Sequence, residues 1–449
     1  MDKRIRFFIL VFIIVSIFSI FVLTLLGTAG QKYLVGSKYD SRAHRSMVSV
    51  KRGNIYDRND KLINYSVYDG EKYIRQYNYP SLYSHLIGYV DYKYGASGLE
   101  SLYNGTLQGS SQVSEWTKLL NKINNFKSGE HLKLTVDHDL QKKSMQLMGN
   151  YKGAVIITDP RNGDVLTYYS NGKFDERKLE QAISSEESVM LDRVSDGKYS
   201  PGSVYKIISA VNILNNTDNL DYDDKGSIDI GEGSVSNYGK MVYGKTDLHK
   251  ALVNSLNTYF AEKGSPYTDS LIELTENINN TIQKATGGKY AFSIRKGDNE
   301  FKNAILQIGQ GEVTASPMAI NLTTQVIYNG GYFYSPRYVD YIITNDFKFS
   351  RKQKAKKYNL PIEKWQADYI KDAMFDVVKI GTASGYGIGE NCGGKTGTAQ
   401  LPGKKYNYWF TGFVSGEKPM IITIVVENID EMGYNIPVSI FKSLLEQNK

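Results

Sequence analysis

The sequence GAVIITDPRNGDVLTYY (residues 153–169) decides the fold class of most of this chain. Its first six residues are mainly apolar and β-branched, and a second run of this kind follows at 164–169. Such residues favour strands. Between the two runs, the segment DPRNG combines proline, asparagine and glycine, which are typical of a turn. We therefore predict two strands joined by a turn of about five residues.

Further elements are predicted on both sides of this pair of strands. In chain order they are a strand at 132–136, a helix at 139–148, mainly helical structure from 203 to about 325, strands at 408–414 and 420–427, and a helix at about 437–447. Strands thus lie at both ends of one segment, and helical patterns fill its middle. This order predicts an α+β fold, in which an antiparallel sheet takes its edges from both ends of the domain and is flanked by helices.

The amino terminus carries a separate physical signal. Three basic residues within the first six precede an apolar run at 7–26. Twenty helical residues at about 1.5 Å each span about 30 Å, the thickness of a bilayer's hydrocarbon core. We expect a single-pass anchor whose amino terminus is cytoplasmic, with the rest of the chain on the other side of the membrane. The alternative is a cleaved signal peptide, whose apolar region is typically shorter, about 7–15 residues.

Length and composition limit the organisation of the chain. At roughly 100–200 residues per domain, the length allows two or three folded units, and a composition of 41% hydrophobic and 22% charged residues is ordinary for a globular protein. The predicted parts are a cytoplasmic tail (1–6), the membrane anchor (7–26), a small mixed α/β pedestal domain (27–129) and a larger domain (130–449).

The charge, cysteine and histidine content of the chain indicates neither a nucleic-acid partner nor a metal site. The net charge of +7 points to no specific partner, and we expect no nucleic-acid binding. The one cysteine, Cys392, excludes an internal disulfide. With five scattered histidines and no H-E-x-x-H pair, we expect no metal site.

Ser203 and Lys206 form the first candidate catalytic pair. Three positions apart on a helix, they share a face, so a lysine amine with a lowered pKa could accept the serine's proton. The S-x-x-K pattern occurs five more times, but Ser203 alone follows Ser-Pro-Gly and leads into an apolar helix at 207–214. The alternative interpretation is that Ser203 only caps this helix.

Ser255 and Asn257 form the second candidate pair. Two positions apart in a loop, their side chains can point the same way. The hydroxyl could then relay a proton while the amide binds a substrate carbonyl. The alternative is a polar turn at the end of a helix, which is a common structural feature.

Lys395, Thr396, Gly397 and Thr398 form the third candidate. In a strand, the lysine and the glycine would lie on one face and the two threonines on the other. The glycine would let a substrate backbone approach closely, and a lysine with hydroxyl groups suits a carboxylate.

The segment GENCGGKT (389–396) also matches the phosphate-loop pattern G-x-x-x-x-G-K-[ST]. A phosphate loop requires a helix directly after the lysine, because the amino end of that helix meets the phosphates. Here the chain continues as GTAQLPG and then a predicted strand. We therefore reject nucleotide binding at this segment.

The three candidates occur in the order S-x-x-K, S-x-N and K-T-G, a set that class A β-lactamases and penicillin-binding proteins share. Further segments extend a resemblance to class B penicillin-binding proteins, the transpeptidases without a glycosyltransferase domain, and in particular to their short members. These segments are RGNIYDRN (52–59), GLE (98–100), YSPGS (199–203), GQG (309–311) and WFTGF (409–413). Asp60 stands where the family usually has glycine, so the local turn could differ.

The resemblance implies a transpeptidase/β-lactamase-like domain with peptidoglycan D,D-transpeptidase activity. Ser203 would attack the carbonyl of the penultimate D-Ala in a stem peptide, and Lys206 would accept its proton. Ser255, with Lys395 nearby, would pass a proton to the leaving D-Ala. Asn257 would hydrogen-bond both Lys206 and the substrate.

The resemblance also implies a substrate site and partners. Thr396 and Thr398, beside Gly397, would bind the terminal carboxylate, and the backbone N–H groups of Ser203 and Thr398 would form the oxyanion hole. The implied partners are stem peptides that end in D-Ala-D-Ala, β-lactams that acylate the serine, the bacterial plasma membrane and a membrane-embedded glycan polymerase. No cofactor is implied.

Two other functions are open at this point. A β-lactamase could use the same residues if it positioned a water to hydrolyse the acyl-enzyme, and Glu273 and Asn277 have an E-x-x-x-N spacing that some β-lactamases use. We expect these two residues on an exposed surface instead. A non-catalytic sensor or scaffold that binds β-lactams or wall peptides is the alternative from a different class, although all three motifs are intact.

Overall fold

The structure, a computed structural model, describes residues 3–34, 50–109, 128–430, 433 and 435–446. The chain forms two units. The smaller unit consists of Met1–Gly53, Tyr65–Gln76 and Gly88–Glu130, and the larger of Asn54–Asn64, Tyr77–Ile87 and His131–Lys449.

The helices and strands are numbered along the chain. The helices are α1 (Lys3–Leu34), α2 (Gly98–Leu102), α3 (Asn104–Leu107), α4 (His138–Met148), α5 (Leu179–Ile183), α6 (Lys206–Asn216), α7 (Leu248–Val253), α8 (Asn257–Gly264), α9 (Thr268–Thr286), α10 (Glu300–Leu306), α11 (Pro317–Asn329), α12 (Lys364–Lys379) and α13 (Ile436–Leu445). Short 3₁₀ turns are Gly202–Tyr205, Tyr238–Lys240, Ser265–Tyr267 and Ser384–Tyr386.

The strands of the main sheet in the larger unit have 6 to 10 residues, and most of the other strands are shorter. They are β1 (Ile55–Tyr56), β2 (Leu62–Tyr68), β3 (Tyr73–Tyr77), β4 (Val90–Asp91), β5 (Gly95–Ala96), β6 (His131–Leu134), β7 (Gly153–Thr158), β8 (Val165–Asn171), β9 (Tyr222–Asp224), β10 (Ser227–Ile230), β11 (Gly233–Ser236), β12 (Gly244–Thr246), β13 (Phe292–Ile294), β14 (Val313–Ala315), β15 (Tyr332–Tyr334), β16 (Val339–Ile343), β17 (Ser350–Lys352), β18 (Lys357–Asn359), β19 (Cys392–Leu401), β20 (Lys405–Val414) and β21 (Met420–Ile429).

The main sheet of the larger unit is antiparallel and has the strand order β19-β20-β21-β7-β8. β7 comes early in the domain and β21 late, and they pair at the centre, with Ile424 opposite Val155. The two edges, β19 and β8, also come from opposite ends of the domain. The predicted α+β sheet is therefore confirmed. Its strand boundaries differ from the prediction by a few residues, since β20 already begins at Lys405.

Helices cover both faces of this sheet. On one face, α11 is buried along most of its length, and Thr324 Oγ1 lies 2.7 Å from Thr411 Oγ1 of β20. On the other face, the ring of Phe441 in α13 packs against Phe410, with 4.7 Å between ring centroids. Adjacent strand residues point to opposite faces, so residues 410 and 411 contact different helices. The core thus has three layers, helix, sheet and helix.

Glycines in β19 make room for aromatic rings of β20. A Cβ atom at Gly393 would lie 2.3 Å from the ring of Phe413, and one at Gly394 would lie 2.3 Å from the ring of Phe410. Any side chain at these two positions would displace a buried ring. The segment that matched a phosphate loop is thus an edge strand covered by aromatic residues, and a strand instead of a helix follows its lysine. The prediction that no helix follows this lysine is therefore confirmed.

A second sheet explains why part of the amino-terminal region belongs to the larger unit. Its order there is β17-β16-β6-β1-β2, and Ile55 of β1 pairs in parallel with Leu132 of β6. The backbone of this segment finds its hydrogen-bond partners in the larger unit. The predicted single boundary at 129–130 therefore differs from the observed division, which assigns 54–64 and 77–87 to the larger unit. Residues 35–49 and 110–127 of the predicted pedestal domain lie outside the described residues.

The turn after β1 keeps a glycine-like conformation although Asp60 stands there. Asp60 has φ +67°, in the left-handed region that glycine favours, and aspartate is among the few other residues that adopt it. The carboxylate of Asp57 accepts the N–H groups of Asn59 (2.8 Å) and Lys61 (2.7 Å), which stabilises this turn. The replacement of the family's glycine therefore leaves the left-handed turn in place.

The helix α1 contains the predicted anchor and extends over 32 residues. Among the residues that the structure describes, no helix meets the combined requirement of length and apolar character for a membrane crossing.

A buried carboxylate stabilises the smaller unit. Glu100 of α2 is fully buried, and it accepts hydrogen bonds from Arg52 Nε (3.0 Å) and Arg75 Nε (2.6 Å). Burial raises the pKa of the Glu100 carboxyl, but the two guanidinium groups lower it more, so the net pKa lies below its usual range. The ion pairs join the RGNIYDRN and GLE segments, which are far apart in the sequence.

We expect Glu100→Gln to destabilise the smaller unit by about 3–5 kcal/mol, because two buried guanidinium groups would lose their counter-charge. The contribution of Glu100 is present above the carboxyl's unfolded pKa and is lost as pH falls through its lower folded pKa. Urea unfolding of the full chain in detergent, at neutral and acidic pH, measures both effects. Asp298→Asn, at an exposed ion pair with Lys302, should leave unfolding unchanged, and an equal effect of both variants would contradict the prediction.

Candidate active site

Ser203 lies in the 3₁₀ turn Gly202–Tyr205, which leads directly into α6. Gly202 has φ +54°, and a Cβ atom there would lie 2.4 Å from the carbonyl oxygen of Thr398 in β19. Its N–H donates to Gly309 O at 2.9 Å. Glycine is therefore required at 202, because only a residue without a side chain lets the turn lie against the edge strand.

Ser203 is partly exposed to solvent, whereas its neighbours along the chain are buried. Among residues 201–213, Ser203 is half-buried and all the others are buried. The residues at the two cap positions are Pro201 for the 3₁₀ turn and Tyr205 for α6. The interpretation of Ser203 as a helix cap is therefore wrong. In a 3₁₀ turn, residues three positions apart are eclipsed, which directs Ser203 and Lys206 to the same side.

The amine of Lys206 is buried among neutral oxygens. Its side chain has no exposed surface, and Nζ donates to Ser255 O and to Asn257 Oδ1, both at 2.7 Å, with Ser255 Oγ at 3.3 Å. Burial lowers the pKa of Lys206 well below its usual value, and the nearby charge of Lys395 lowers it further. A neutral amine that donates two hydrogen bonds retains a lone pair that can accept a proton.

Lys395 lies on the other side of Ser255. It is fully buried in β19, and Nζ lies 2.8 Å from Ser255 Oγ and 3.3 Å from Thr396 O. Burial lowers the pKa of Lys395 to about 7. The hydroxyl of Ser255 therefore lies between two buried amines whose pKa values are both lowered, and either amine can take part in proton transfer.

The backbone of Ser255 has a left-handed conformation, with φ +57°. This conformation is uncommon for a residue other than glycine. It occurs in the short connection between α7 and α8, where the Ser255 carbonyl oxygen accepts from Lys206. The prediction of a polar turn at a helix end is thus correct for the backbone. The side chains of Ser255 and Asn257 nevertheless both converge on Lys206.

The K-T-G segment shows the predicted alternation along β19. Lys395 and Gly397 are buried, Thr396 is half-buried and Thr398 is exposed. Thr396 Oγ1 lies 2.8 Å from Thr382 Oγ1. A Cβ atom at Gly397 would lie 2.9 Å from Val204 Cγ1. The glycine thus makes room for the turn that carries Ser203, a role that the sequence did not predict.

The structure brings the predicted catalytic residues together. Lys206, Ser255, Asn257 and Lys395 share direct hydrogen bonds, and the turn of Ser203 lies against the strand that carries the K-T-G segment. The arrangement combines a partly exposed serine, a buried amine with a lowered pKa that could act as a base, and a second hydroxyl that could relay a proton. It is suited to nucleophilic acyl transfer.

Sequence reasoning missed Asn237 and the residues around it. The Asn237 side chain accepts the backbone N–H of Asn257 at 2.8 Å and lies in an irregular segment about 20 residues earlier. A single asparagine outside any motif gives no sequence signal. Phe260 was also missed: its ring lies 5.5 Å from Lys206 Nζ and is part of the apolar surroundings of that amine.

The E-x-x-x-N pair lies on an exposed surface, as expected. Glu273 and Asn277 are both exposed on α9. Their side chains therefore do not form the buried water site that deacylation would require.

Models of two protein families match the chain. One, described as the penicillin-binding protein transpeptidase domain, matches residues 153–446. The other, described as the penicillin-binding protein A dimerisation domain, matches residues 52–131. Together they cover most of the described residues outside α1.

Several curated proteins are similar to the chain. Peptidoglycan D,D-transpeptidase MrdA of Haemophilus influenzae is 24% identical over 405 residues, which cover 74% of this chain and 60% of the relative. Peptidoglycan D,D-transpeptidase PbpA of Mycolicibacterium smegmatis is 23% identical over 438 residues, which cover 88% of each. The chain spans only about three fifths of the length of most of the relatives that it matches.

Solved structures share the fold. Penicillin-binding protein A from M. tuberculosis, in a ceftriaxone acyl-enzyme complex, has a TM-score of 0.81 and 20% identity. The match covers 90% of this chain and 99% of that chain. The transpeptidase/β-lactamase-like fold is therefore confirmed.

We expect Lys395→Met to raise the free energy of unfolding at pH 7 by about 1–4 kcal/mol, because methionine removes the cost of burying an amine. The folded chain releases the Lys395 proton at about pH 7, whereas the unfolded chain keeps it to about 10.5. Between these values the unfolded chain binds one more proton, so stability rises with pH. In urea unfolding measured from pH 6 to 10, the free energy of unfolding of the variant should lack this increase with pH.

Lys418→Met, at an exposed lysine in the turn between β20 and β21, is the control. It should change neither the stability nor its pH dependence. A loss of stability in Lys395→Met would show that the charged amine stabilises the fold and would contradict the prediction.

Proposed function

We propose a function from the premise that the chain belongs to the class B penicillin-binding proteins, whose transpeptidase domain covers residues 153–446. The proposed activity is that of a serine-type peptidoglycan D,D-transpeptidase, which cross-links stem peptides and releases terminal D-Ala. β-Lactams would acylate the same serine. The relatives named D,D-transpeptidases support this activity, as does the resemblance that the sequence motifs indicated.

One observation carries the proposal. Two buried amines, those of Lys206 and Lys395, contact the same hydroxyl group, that of Ser255, and the partly exposed Ser203 lies three residues before Lys206. Acyl transfer on a serine needs a base to remove the serine's proton and an acid to protonate the leaving group. Buried lysines with lowered pKa values can perform both tasks near neutral pH.

In the proposed acylation, Ser203 Oγ forms a bond to the carbonyl carbon of the penultimate D-Ala, and its proton moves to Lys206 Nζ. The bond to the terminal D-Ala then breaks. Its nitrogen takes a proton from Ser255 Oγ, which is replenished by one of the two amines. The backbone N–H groups of Ser203 and Thr398 would stabilise the negative charge on the carbonyl oxygen.

In the proposed second half, an amine of another stem peptide forms a bond to the acyl carbon, and the ester bond to Ser203 Oγ breaks. The proton that the amine loses returns to Ser203 Oγ through Lys206 Nζ. In the first half, Thr396 and Thr398, beside Gly397, would bind the terminal carboxylate of the donor before it leaves with the terminal D-Ala, and Asn257 would bind a substrate carbonyl or amide. The half-buried and exposed positions of the two threonines on β19 support this role. The mechanism requires no metal or cofactor.

A β-lactamase remains the alternative enzyme, since hydrolysis of the acyl-enzyme needs only a suitably placed water. The exposure of Glu273 and Asn277 on α9 weighs against it. A non-catalytic sensor or scaffold is the alternative from another class.

The proposed setting is the outer side of a bacterial plasma membrane, with the amino terminus in the cytoplasm and a glycan polymerase of the membrane as partner. The continuous α1 helix supports an anchor, as do its exposed apolar side chains, among them Phe12 (73% exposed) and Phe8 (71%). An exposed apolar helix of this kind requires an apolar environment.

We expect the full chain in detergent to become labelled at Ser203 by a fluorescent penicillin and to keep the label for hours on a denaturing gel. Ser203→Ala should remove the label, because the nucleophile is lost. Ser293→Ala, at another S-x-x-K copy whose serine is exposed on β13, is the matched control and should label like the parent.

Other outcomes identify the alternatives. Label that fades within seconds would favour a β-lactamase. Absence of label from a folded parent would contradict the activity and favour a scaffold. If the parent is labelled, transpeptidation is tested with a D-Ala-D-Ala peptide and an acceptor amine. We expect a cross-linked product of the two.

We expect the full chain expressed in bacteria to sediment with membranes and to resist extraction by high salt or carbonate. A variant that lacks residues 7–26 should appear in the soluble fraction, because the apolar helix would be absent. Membrane association of this variant that is as strong as that of the full chain would contradict the anchor.

A further inference from the structure

The helix that carries Asn257 begins without a side-chain cap of its own. Leu256 occupies the cap position of α8 and cannot accept a hydrogen bond through its side chain. Asn237 supplies the missing acceptor from another part of the chain: its Oδ1 accepts the N–H groups of Asn257 (2.8 Å) and Thr258 (3.2 Å). These N–H groups belong to the first turn of a helix, which has no acceptor for them within the helix.

Asn237 is in turn fixed by Asp224. The Asn237 Nδ2 group donates to both carboxylate oxygens, at 2.9 and 3.0 Å. A carboxylate only accepts hydrogen bonds, so it must face the amide nitrogen of Asn237 and not its oxygen. The amide oxygen is then directed at the helix terminus. The acid at 224 thus determines the orientation of the amide that caps α8.

Asp224 is buried, with 1% of its surface exposed. Its other donors are Thr258 Oγ1 (2.6 Å) and the backbone N–H groups of Tyr243 (2.8 Å) and Gly226 (3.2 Å). The structure shows no ion pair between Asp224 and a lysine or arginine in the part of the chain that it describes. Burying a carboxylate without a cation costs free energy, which these donors offset.

The same segment also contacts the Asn257 side chain. Asn257 Nδ2 donates to Ser236 O at 2.8 Å, one residue before Asn237. Asn257 Oδ1 is left to accept from Lys206 Nζ. The segment 236–237 therefore fixes both the backbone and the amide of Asn257, and through that amide the position of the Lys206 amine.

We infer that Asp224 and Asn237 are positioning residues of the acyl-transfer reaction, which orient Asn257 and through it Lys206. This inference rests on the proposed function. Neither residue touches the nucleophile or the amine, so both act through Asn257. Their loss should slow acylation more than it weakens the initial binding of a β-lactam, because only the reacting groups are displaced.

The first test measures acylation of the full chain in detergent by a chromogenic cephalosporin. Stopped-flow data over a range of concentrations separate the dissociation constant of the first complex from the acylation rate constant. We expect Asn237→Ala to lower the acylation rate constant by about 10- to 100-fold, the size of effect that a displacement of reacting groups by about 1 Å can have. The dissociation constant should change by less than about threefold.

Asn299→Ala is the matched control. Asn299 caps α10 by accepting the N–H of Lys302 at 2.8 Å, and it is exposed. The control loses the same kind of cap on a helix that carries no candidate catalytic residue. It should acylate like the parent. An equal loss in both variants, or an unchanged rate in Asn237→Ala, would overturn the inference.

A pair of isosteric variants tests the role of Asp224. Asn237→Asp places two carboxylates against each other and should also slow acylation by about 10-fold or more. Adding Asp224→Asn restores one donor and one acceptor at this contact. We expect the double variant to acylate faster than Asn237→Asp. A double variant that is no faster would show that Asp224 does not act through Asn237.

A crystal structure of Asn237→Ala provides a readout that does not depend on acylation. We expect the distance between Asn257 Oδ1 and Lys206 Nζ to increase beyond hydrogen-bonding range. A retained 2.7 Å contact would overturn the inference. A parent that is not acylated at Ser203 would instead refute the proposed function, and the structure would still report on the positioning.

Discussion

The candidate active site depends on two buried amines that lie on either side of one hydroxyl group. Lys206 and Lys395 are both without exposed surface, and Ser255 Oγ lies 3.3 Å from one amine and 2.8 Å from the other. Burial and mutual repulsion disfavour the ammonium forms. The oxygens around the amines belong to carbonyl, amide and hydroxyl groups. A carboxylate in the same place would stabilise the ammonium ions and would leave no neutral base.

Two residues at this site have unusual backbone conformations. Ser255 has a positive φ in the connection that directs its carbonyl oxygen to Lys206, and Gly202 has one where the turn of Ser203 meets β19. Such conformations are uncommon for residues other than glycine, and they occur where surrounding structure compensates their cost. Glycine adopts the conformation at 202 without a steric cost, and at Ser255 the carbonyl oxygen gains the hydrogen bond from Lys206 Nζ. Gly397 makes room for Val204 beside the turn of Ser203.

Negatively charged side chains do not contact the amine of Lys206 in the described part of the chain, but one lies further away. Around Lys206, the hydrogen-bond acceptors are neutral. The carboxylate of Asp224 is connected to Lys206 through Asn237 and Asn257. It orients the amide of Asn237 without contacting either amine. The neutral amide of Asn237 thus links the Asp224 carboxylate to the backbone N–H groups at the start of α8. In the smaller unit, by contrast, Glu100 contacts two arginines directly, as suits a carboxylate with a structural role.

The sequence by itself determined the α+β class and the eight candidate site residues, because both depend on local patterns. Apolar β-branched runs predict strands wherever they pack, and the three motifs have fixed internal spacing. The tertiary structure alone decided the rest. It assigned 54–64 to the larger unit, since the partner of β1 is β6, about 80 residues away. It also brought Asn237, which lies outside any motif, to the amino end of α8, where the S-x-N motif ends. Contacts of this kind depend on how distant elements pack, and no local pattern encodes that packing.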